Sequence, residues 1–265
     1  MKAPESTVKR IFTFMFPLFM LFSFSEYAKA AQEYYAVKIY RFKNQTQVER
    51  VEKFLKEAYI PAIHRIGISK VGVFKPIEGD TVAGLSVFVW IPLKSLQQYT
   101  ELPGLLEKDA QYKSKGADYL EADNKNVPYA RIETILLKAF PDMPKFGIPT
   151  HATPAVKRIY ELRSYEGPTE KMFERKVEMF NAGGEIKLFD KLGFNAVFYA
   201  EVISGSTMPN LMYMTTFADM KAHDELWDAF RNHPEWKALS AMEKYKNTVS
   251  RSVKYLLHPT DYSDI

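Results

Sequence analysis

Period-two alternation of apolar and polar residues opens each half of this chain. It appears first in Val37-Lys38-Ile39-Tyr40-Arg41-Phe42 and again in Tyr160-Glu161-Leu162-Arg163-Ser164-Tyr165. Side chains two apart share a face of a strand, so both segments are predicted as strands. A charged stretch of helical period follows each, then a glycine and a further strand, from Gly67-Ile68 and from Gly193-Phe194. A turn-rich hairpin leads to strands at 85–91 and 211–217, then more helix, then last strands at 132–137 and 249–257. The pattern repeats after about 117 to 126 residues, which is domain-sized and too long for a solenoid repeat.

The second half is the more regular. Gly167-Pro168-Thr169 starts a helix predicted to run to about residue 188, with a break at Asn181-Ala182-Gly183-Gly184. Strands at 196–203 and 211–217 flank a hairpin turn at 204–210. Asp219 is a helix cap, and Pro234 suits the first turn of the next helix. In the first half, Pro103-Gly104 and the loop at 122–128 add irregular structure around the second helix. The order β-α-β-β-α-β is ferredoxin-like. The fold class expected is α+β, with two such repeats packed sheet to sheet as a pseudo-dimeric α/β barrel. The repeats are assigned to 31–140 and 155–260. Between them, 141–154 holds four prolines and a glycine and reads as an extended linker.

A ferredoxin-like sheet carries helices on one face, so its other face needs cover. Tyr160 and Leu162, with Val37 and Ile39, are assigned to the helix side. Glu161, Arg163 and Tyr165, with Lys38, Tyr40 and Phe42, are then expected to line a partly polar barrel interior. Lys38 is placed at the position equivalent to Glu161, where the two could pair across the barrel.

The first 30 residues change the picture of location. Lys9-Arg10 precedes an apolar run at 11–24, and Ala28-Lys29-Ala30 fits a small-x-small cleavage site. This reads as a signal peptide cut before Ala31, giving an exported protein, periplasmic or extracellular, with no stable membrane span after cleavage. Residues 31–265 then carry a net charge of about +2, too balanced for nucleic acid to be a partner. The absence of cysteine excludes disulfides, thiolate metal sites and a cysteine nucleophile.

Glu161, Arg163 and Tyr165 are the most pointed chemical grouping. Either they contact a ligand, with Arg163 holding an anion and Glu161 acting as a base, or they form a structural ion pair. His223 and Trp227 lie four apart on one helix face, either edging a cavity or combining core packing with a surface histidine. His233 before Pro234 suits local capping. His151, in the linker, is expected to be solvated. Met208, Met212, Met214 and Tyr213 either adapt around an apolar ligand or fill core. The candidate ligand-binding set is therefore Glu161, Arg163, Tyr165, Tyr213, His223, Lys38 and Tyr40. Five scattered histidines make no metal motif, and no nucleotide loop or nucleophile elbow is present, so no cofactor is assigned.

The Tyr160-Glu161-Leu162-Arg163-x-Tyr165 opening, the middle from Leu211-Met212-Tyr213 through the helix at 222–231, and His233-Pro234-Glu235-Trp236 resemble the NIPSNAP family over about 157–258. In the first half the Glu-Leu-Arg core of that motif is replaced by Lys38-Ile39-Tyr40. The resemblance implies membership of the dimeric α/β-barrel superfamily, whose relatives include small monooxygenases and haem-degrading enzymes. The family itself implies no established reaction, so fold analogy leaves function open. Three readings follow: a binder of a small apolar or anionic molecule in a barrel cavity, a cofactor-independent monooxygenase-like enzyme, or a protein-interaction scaffold with an exposed apolar patch near residues 208–213. The two repeats would supply an intramolecular pseudo-dimer, with further oligomerisation open.

Overall fold

The computed structural model describes residues 1, 31–79 and 83–265. The proposed signal peptide lies outside the described residues. Residues 31–265 form one compact unit. Its strands are β1 (Tyr34–Arg41), β2 (Gly72–Pro76), β3 (Ser86–Leu93), β4 (Arg131–Ala139), β5 (Ile159–Glu166), β6 (Asn195–Ser204), β7 (Asn210–Phe217) and β8 (Arg251–Pro259). They close into an antiparallel barrel in the order β1-β3-β2-β8-β5-β7-β6-β4. Each repeat contributes a sheet ordered 4-1-3-2. The two sheets join at two seams, β2 with β8 and β4 with β6. Closure leaves no strand of the barrel with an unpaired edge.

The helices are α1 (Gln45–Phe54), α2 (Ile60–Arg65), α3 (Leu96–Glu107) and α4 (Ala110–Leu120) in the first repeat. The second carries α5 (Glu170–Phe180), α6 (Glu185–Leu192), α7 (Met220–Asn232) and α8 (Pro234–Ala241). A wide, π-type turn at Leu55–Tyr59 connects α1 to α2. Their starts are chemically marked. Asn44, Ser95, Thr169 and Asp219 each accept a backbone N–H from the first turn of α1, α3, α5 and α7. In α1 and α3 a glutamine three residues on reaches back to a backbone N–H next to the cap, as in a capping box. The break expected at 181–184 separates α5 from α6. Gly67 and Gly193 follow α2 and α6 with φ of 93° and 84°, left-handed values that favour glycine. Gly67 therefore ends a helix, and the strand expected from it begins only at Gly72.

The barrel register aligns the repeats. Val37 faces Trp90 and Ile135, while Leu162 faces Met214 and Tyr255 in the same two neighbours of the second repeat. Val37 thus corresponds to Leu162, and Lys38 corresponds to Arg163. This corrects the expected match of Lys38 with Glu161, whose equivalent is Ala36.

The face assignment is also reversed. Tyr35, Val37, Ile39, Tyr160 and Leu162 point into the barrel, where they meet Phe74, Phe88, Trp90 and Phe198 in one core shared by both repeats. Tyr40 and Phe42 pack outward against the helices of the first repeat. Tyr165 and Tyr213 do so against those of the second. The barrel is narrow and filled by aromatic rings, which offer nothing to solvate an ion pair. The helix layer supplies polar partners, so the charged face turns that way.

One end of the barrel is covered by the segments that follow β4 and β8. Phe146 packs edge-on to Trp90 at 5.2 Å between ring centres. Gly147 N–H bonds Val197 O, fixing the segment along β6. His151, expected in solvent, instead bonds Thr216 through Nε2 at 2.9 Å. Ile265 is buried in the barrel core. Gly72 makes room for it: a Cβ there would lie 2.4 Å from Phe74 Cε2 and 3.2 Å from Ile265 Cγ1. Alanine normally improves on glycine within a strand. Here Gly72→Ala is expected to lower stability by about 1 to 3 kcal/mol, as overpacking does, read from the urea midpoint at an unchanged far-ultraviolet spectrum.

Candidate functional site

In the second repeat, β5 sends Glu161, Arg163 and Tyr165 into the helix layer, and β7 adds Tyr213. Five of the seven candidate residues meet here. Arg163 Nη2 pairs with Glu161 Oε1 at 2.9 Å, and Arg163 Nη1 donates to Tyr165 Oη at 3.1 Å. Tyr165 and Tyr213 share a hydrogen bond of 2.8 Å. Trp227 Nε1 on α7 donates to Glu161 Oε2 at 2.6 Å, and its ring lies 3.6 Å below the Arg163 guanidinium. His223, one turn earlier, is buried and brings Nε2 to 3.4 Å from Glu161 Oε2, while its Nδ1 contacts Asp224 Oδ1 at 2.8 Å. The expectation of a surface histidine fails because α7 turns the face of His223 and Trp227 onto the sheet.

Burial raises the pKa of Glu161, but the nearby His223 imidazole and the charge of Arg163 outweigh it and hold the carboxyl below its usual range. Burial disfavours protonated His223, yet Glu161 and Asp224 overcome it and leave the imidazole more basic than usual. A second enclosed ion pair, Lys176 Nζ to Glu185 Oε2 at 2.8 Å, sits between α5 and α6. Sequence inspection missed it, because a Lys-Glu pair nine residues apart has no signature in a helical pattern. Glu161 is fully enclosed, 0% exposed, and faces Arg163, Trp227 and His223. It is a structural anion rather than an accessible base.

Lys38 and Tyr40 lie apart from this group, in the first repeat. Lys38 stands at the Arg163 position, and the residues around it are changed. Ala36 replaces Glu161. Aligned on the caps Ser95 and Asp219, Pro103 replaces Trp227 and Tyr99 replaces His223. Aligned on Asn44 and Thr169, Val51 replaces Lys176. Aligned on Gly67 and Gly193, Tyr59 replaces Glu185. The groups that fill the second repeat's helix layer are gone, and a cleft of about 370 Å³ takes their place. Lys38, Tyr59, Tyr99, Leu102, Pro103 and Tyr112 are among its lining residues. Lys38 Nζ lies 5.3 Å from the centre of the Tyr59 ring and 5.8 Å from that of Tyr40. Among the described residues it has no hydrogen-bonded or ion-paired partner. Burial with no compensating charge lowers its pKa. Tyr40 is enclosed beneath the cleft, edge-on to Tyr129.

Two other places were candidates. The open end of the barrel holds a space of about 180 Å³ lined by residues including Arg41, Glu133, Glu166 and Arg251. Its charges are already matched, Arg41 with Glu133 and Arg251 with Glu166. The hairpin expected to offer an apolar patch buries Met212, Tyr213 and Met214 and exposes only Met208 of that group. His233 caps α8 by accepting the Glu235 N–H at 3.2 Å. Among the described residues no cluster of three or more His, Asp or Glu side chains could hold a metal ion, and no helix is long and apolar enough to cross a membrane.

The NIPSNAP family model matches residues 160–264, the stretch that carries the Glu161–Arg163–Trp227 network. The second repeat is thus similar to NIPSNAP domains over that stretch. Solved structures resemble the whole barrel. A candidate monooxygenase from Lactobacillus acidophilus is 12% identical over 86% of this chain and 94% of its own, with a TM-score of 0.55. An anthrone oxidase-like protein is 9% identical over 88% of this chain and 93% of its own, with a TM-score of 0.53. A NIPSNAP family protein from Agrobacterium tumefaciens is 22% identical over 41% of this chain and 98% of its own, with a TM-score of 0.37. No curated protein matches the chain in sequence. At these identities the two longer matches establish the shared dimeric α/β-barrel fold and nothing of the chemistry.

Removing the Glu161 charge leaves the Arg163 guanidinium enclosed without its anion. Glu161→Gln is expected to cost about 3 to 5 kcal/mol in urea unfolding. The raised pKa of His223 means that its contribution is complete below the unfolded value of 6.5 and lost as pH rises through the folded one. The unfolding midpoint should therefore fall as pH rises above about 6.5, and His223→Gln should flatten that slope.

Proposed function

We propose that this protein binds a small molecule with an apolar body and one oxygen-bearing head group, in the first-repeat cleft, with the head group against Lys38. The observation that carries the reading is the difference between two equivalent places in one fold. In the second repeat the space above the strand cation is filled by Trp227 and the cation is matched by Glu161. In the first repeat both are missing, leaving an open, tyrosine-lined cleft with a partnerless lysine at its floor. Its volume falls in the range of small-molecule sites, and a mainly apolar wall with few polar groups is usual for them. A desolvated ammonium gains from any oxygen that offers it a lone pair or a charge.

The site thus moves from the barrel interior, where the sequence suggested it, to the outer face of the β1–β3 sheet. The NIPSNAP motif residues support the fold of the second repeat rather than lining this cleft. A monooxygenase-like activity has no support in an accessible carboxylate at Glu161. Export is part of the proposal: its support is the basic, apolar and small-residue pattern of 9–30, and a compact unit that starts at Ala31.

The cleft is tested with the fluorescent anion 1-anilinonaphthalene-8-sulfonate. Pro103→Trp, which restores the bulk present in the second repeat, should abolish saturable binding. Lys38→Met should weaken it about tenfold, near 1.4 kcal/mol. Unchanged binding in both variants would remove the assignment. N-terminal sequencing of protein from the native exported fraction should begin at Ala31, and a start within 1–30 would count against cleavage there.

A further inference from the structure

We propose that Lys38 forms a reversible imine with the carbonyl carbon of a small apolar aldehyde or ketone held in the first-repeat cleft. The inference rests on the binding reading above and names the ligand's reactive group. Three features of the site lead to it.

First, the register places a lysine where the other repeat has an arginine. A guanidinium stays protonated and serves as an ion-pair partner, whereas an amine can lose its proton and become a nucleophile. Second, the anion that would hold the proton on that amine is absent. Ala36 stands at the Glu161 position, and Glu107, a carboxylate on the cleft wall, makes no ion pair with Lys38 among the described residues. Lysines desolvated in apolar pockets are activated in this way, and the downward shift of Lys38 agrees with it. Third, tyrosine hydroxyls are the polar groups supplied by Tyr59, Tyr99 and Tyr112. Burial raises the pKa of Tyr59 and Tyr112, so both keep their protons and can donate hydrogen bonds to a carbonyl oxygen.

The chemistry balances without an oxidant or a metal. The Nζ lone pair of the neutral amine attacks the carbonyl carbon. A C–N bond forms and the carbonyl π pair moves to oxygen, which takes up a proton as nitrogen releases one. The resulting carbinolamine loses its hydroxyl as water, with the leaving oxygen protonated from the cleft. The nitrogen lone pair then forms the C=N bond, and the remaining N–H proton returns to the cleft group that protonated the leaving oxygen, giving the neutral imine. Hydrolysis reverses every step, so the site can hold and release its ligand. Tyr59 and Tyr99 suit a flat, aromatic body on the carbonyl.

The test uses benzaldehyde and sodium cyanoborohydride on the chain from Ala31 onward, with peptide mapping of reduced N-benzyl lysines. Lys38 should be labelled about tenfold faster than Lys171 and Lys221, which are exposed and set the background rate. Saturating 1-anilinonaphthalene-8-sulfonate should slow labelling of Lys38 alone, a control that needs no variant to fold. Pro103→Trp should remove the Lys38 adduct and leave the Lys171 adduct unchanged. Labelling of Lys38 at or below the background rate, with probe binding intact and sensitive to Pro103→Trp, overturns the imine and leaves the binding reading standing. Probe binding and Lys38 labelling that both ignore Pro103→Trp overturn the two together.

Discussion

Barrel closure is the constraint on which the rest of this molecule depends. A four-stranded ferredoxin-like sheet has helices on one face, leaving the other face and two edges without partners. Joining β2 to β8 and β4 to β6 pairs the edges and encloses the bare faces in one step. The enclosed space is narrow and takes large aromatic side chains from both repeats. Neither repeat has a complete core without the other, which explains why residues 31–265 form one compact unit.

Closure also decides where polar chemistry can lie. With the interior committed to rings, every charged residue on the strand faces must point to the helix layers or to an open barrel end. In the second repeat the helix layer answers with Trp227, His223, Lys176 and Glu185, and the strand charges become internal structure. Buried ion pairs of this kind contribute little net stability but are costly to break, so they act as fixed geometry. In the first repeat the same positions carry Pro103, Tyr99, Val51 and Tyr59, and the strand cation is left facing a cleft. One backbone plan thus supplies a filled site and an open one.

That asymmetry is the kind of division a fused pair of like domains allows. Two identical subunits would carry two identical helix layers. Within a single chain, one repeat keeps the packed network while the other is free to lose bulk and charge over its sheet. The open cleft is floored by strands that the closed repeat helps to fix, and its walls come from α3, α4 and the π-type turn at Leu55–Tyr59.

Much of this was legible in the chain. Alternation and helical period located seven of the eight strands to within about three residues, the strand expected from Gly67 beginning only at Gly72, and the helix starts were marked by Thr169, Asp219 and Pro234 because capping is local chemistry. The repeat itself implied two ferredoxin-like sheets packed together as one barrel, while the strand order and the two seams came from the structure. The direction in which each strand face points was not legible. Alternation says that Glu161, Arg163 and Tyr165 share a face but not which face, and in this barrel both faces are buried. The equivalence of Lys38 with Arg163 required the interstrand register, since a shift by two residues preserves the alternation and changes every partner. The cleft could not be read at all. It is an absence, the space left where Trp227 and Glu161 have no counterparts, and an absence acquires a location only when strands and helices distant in sequence are packed together.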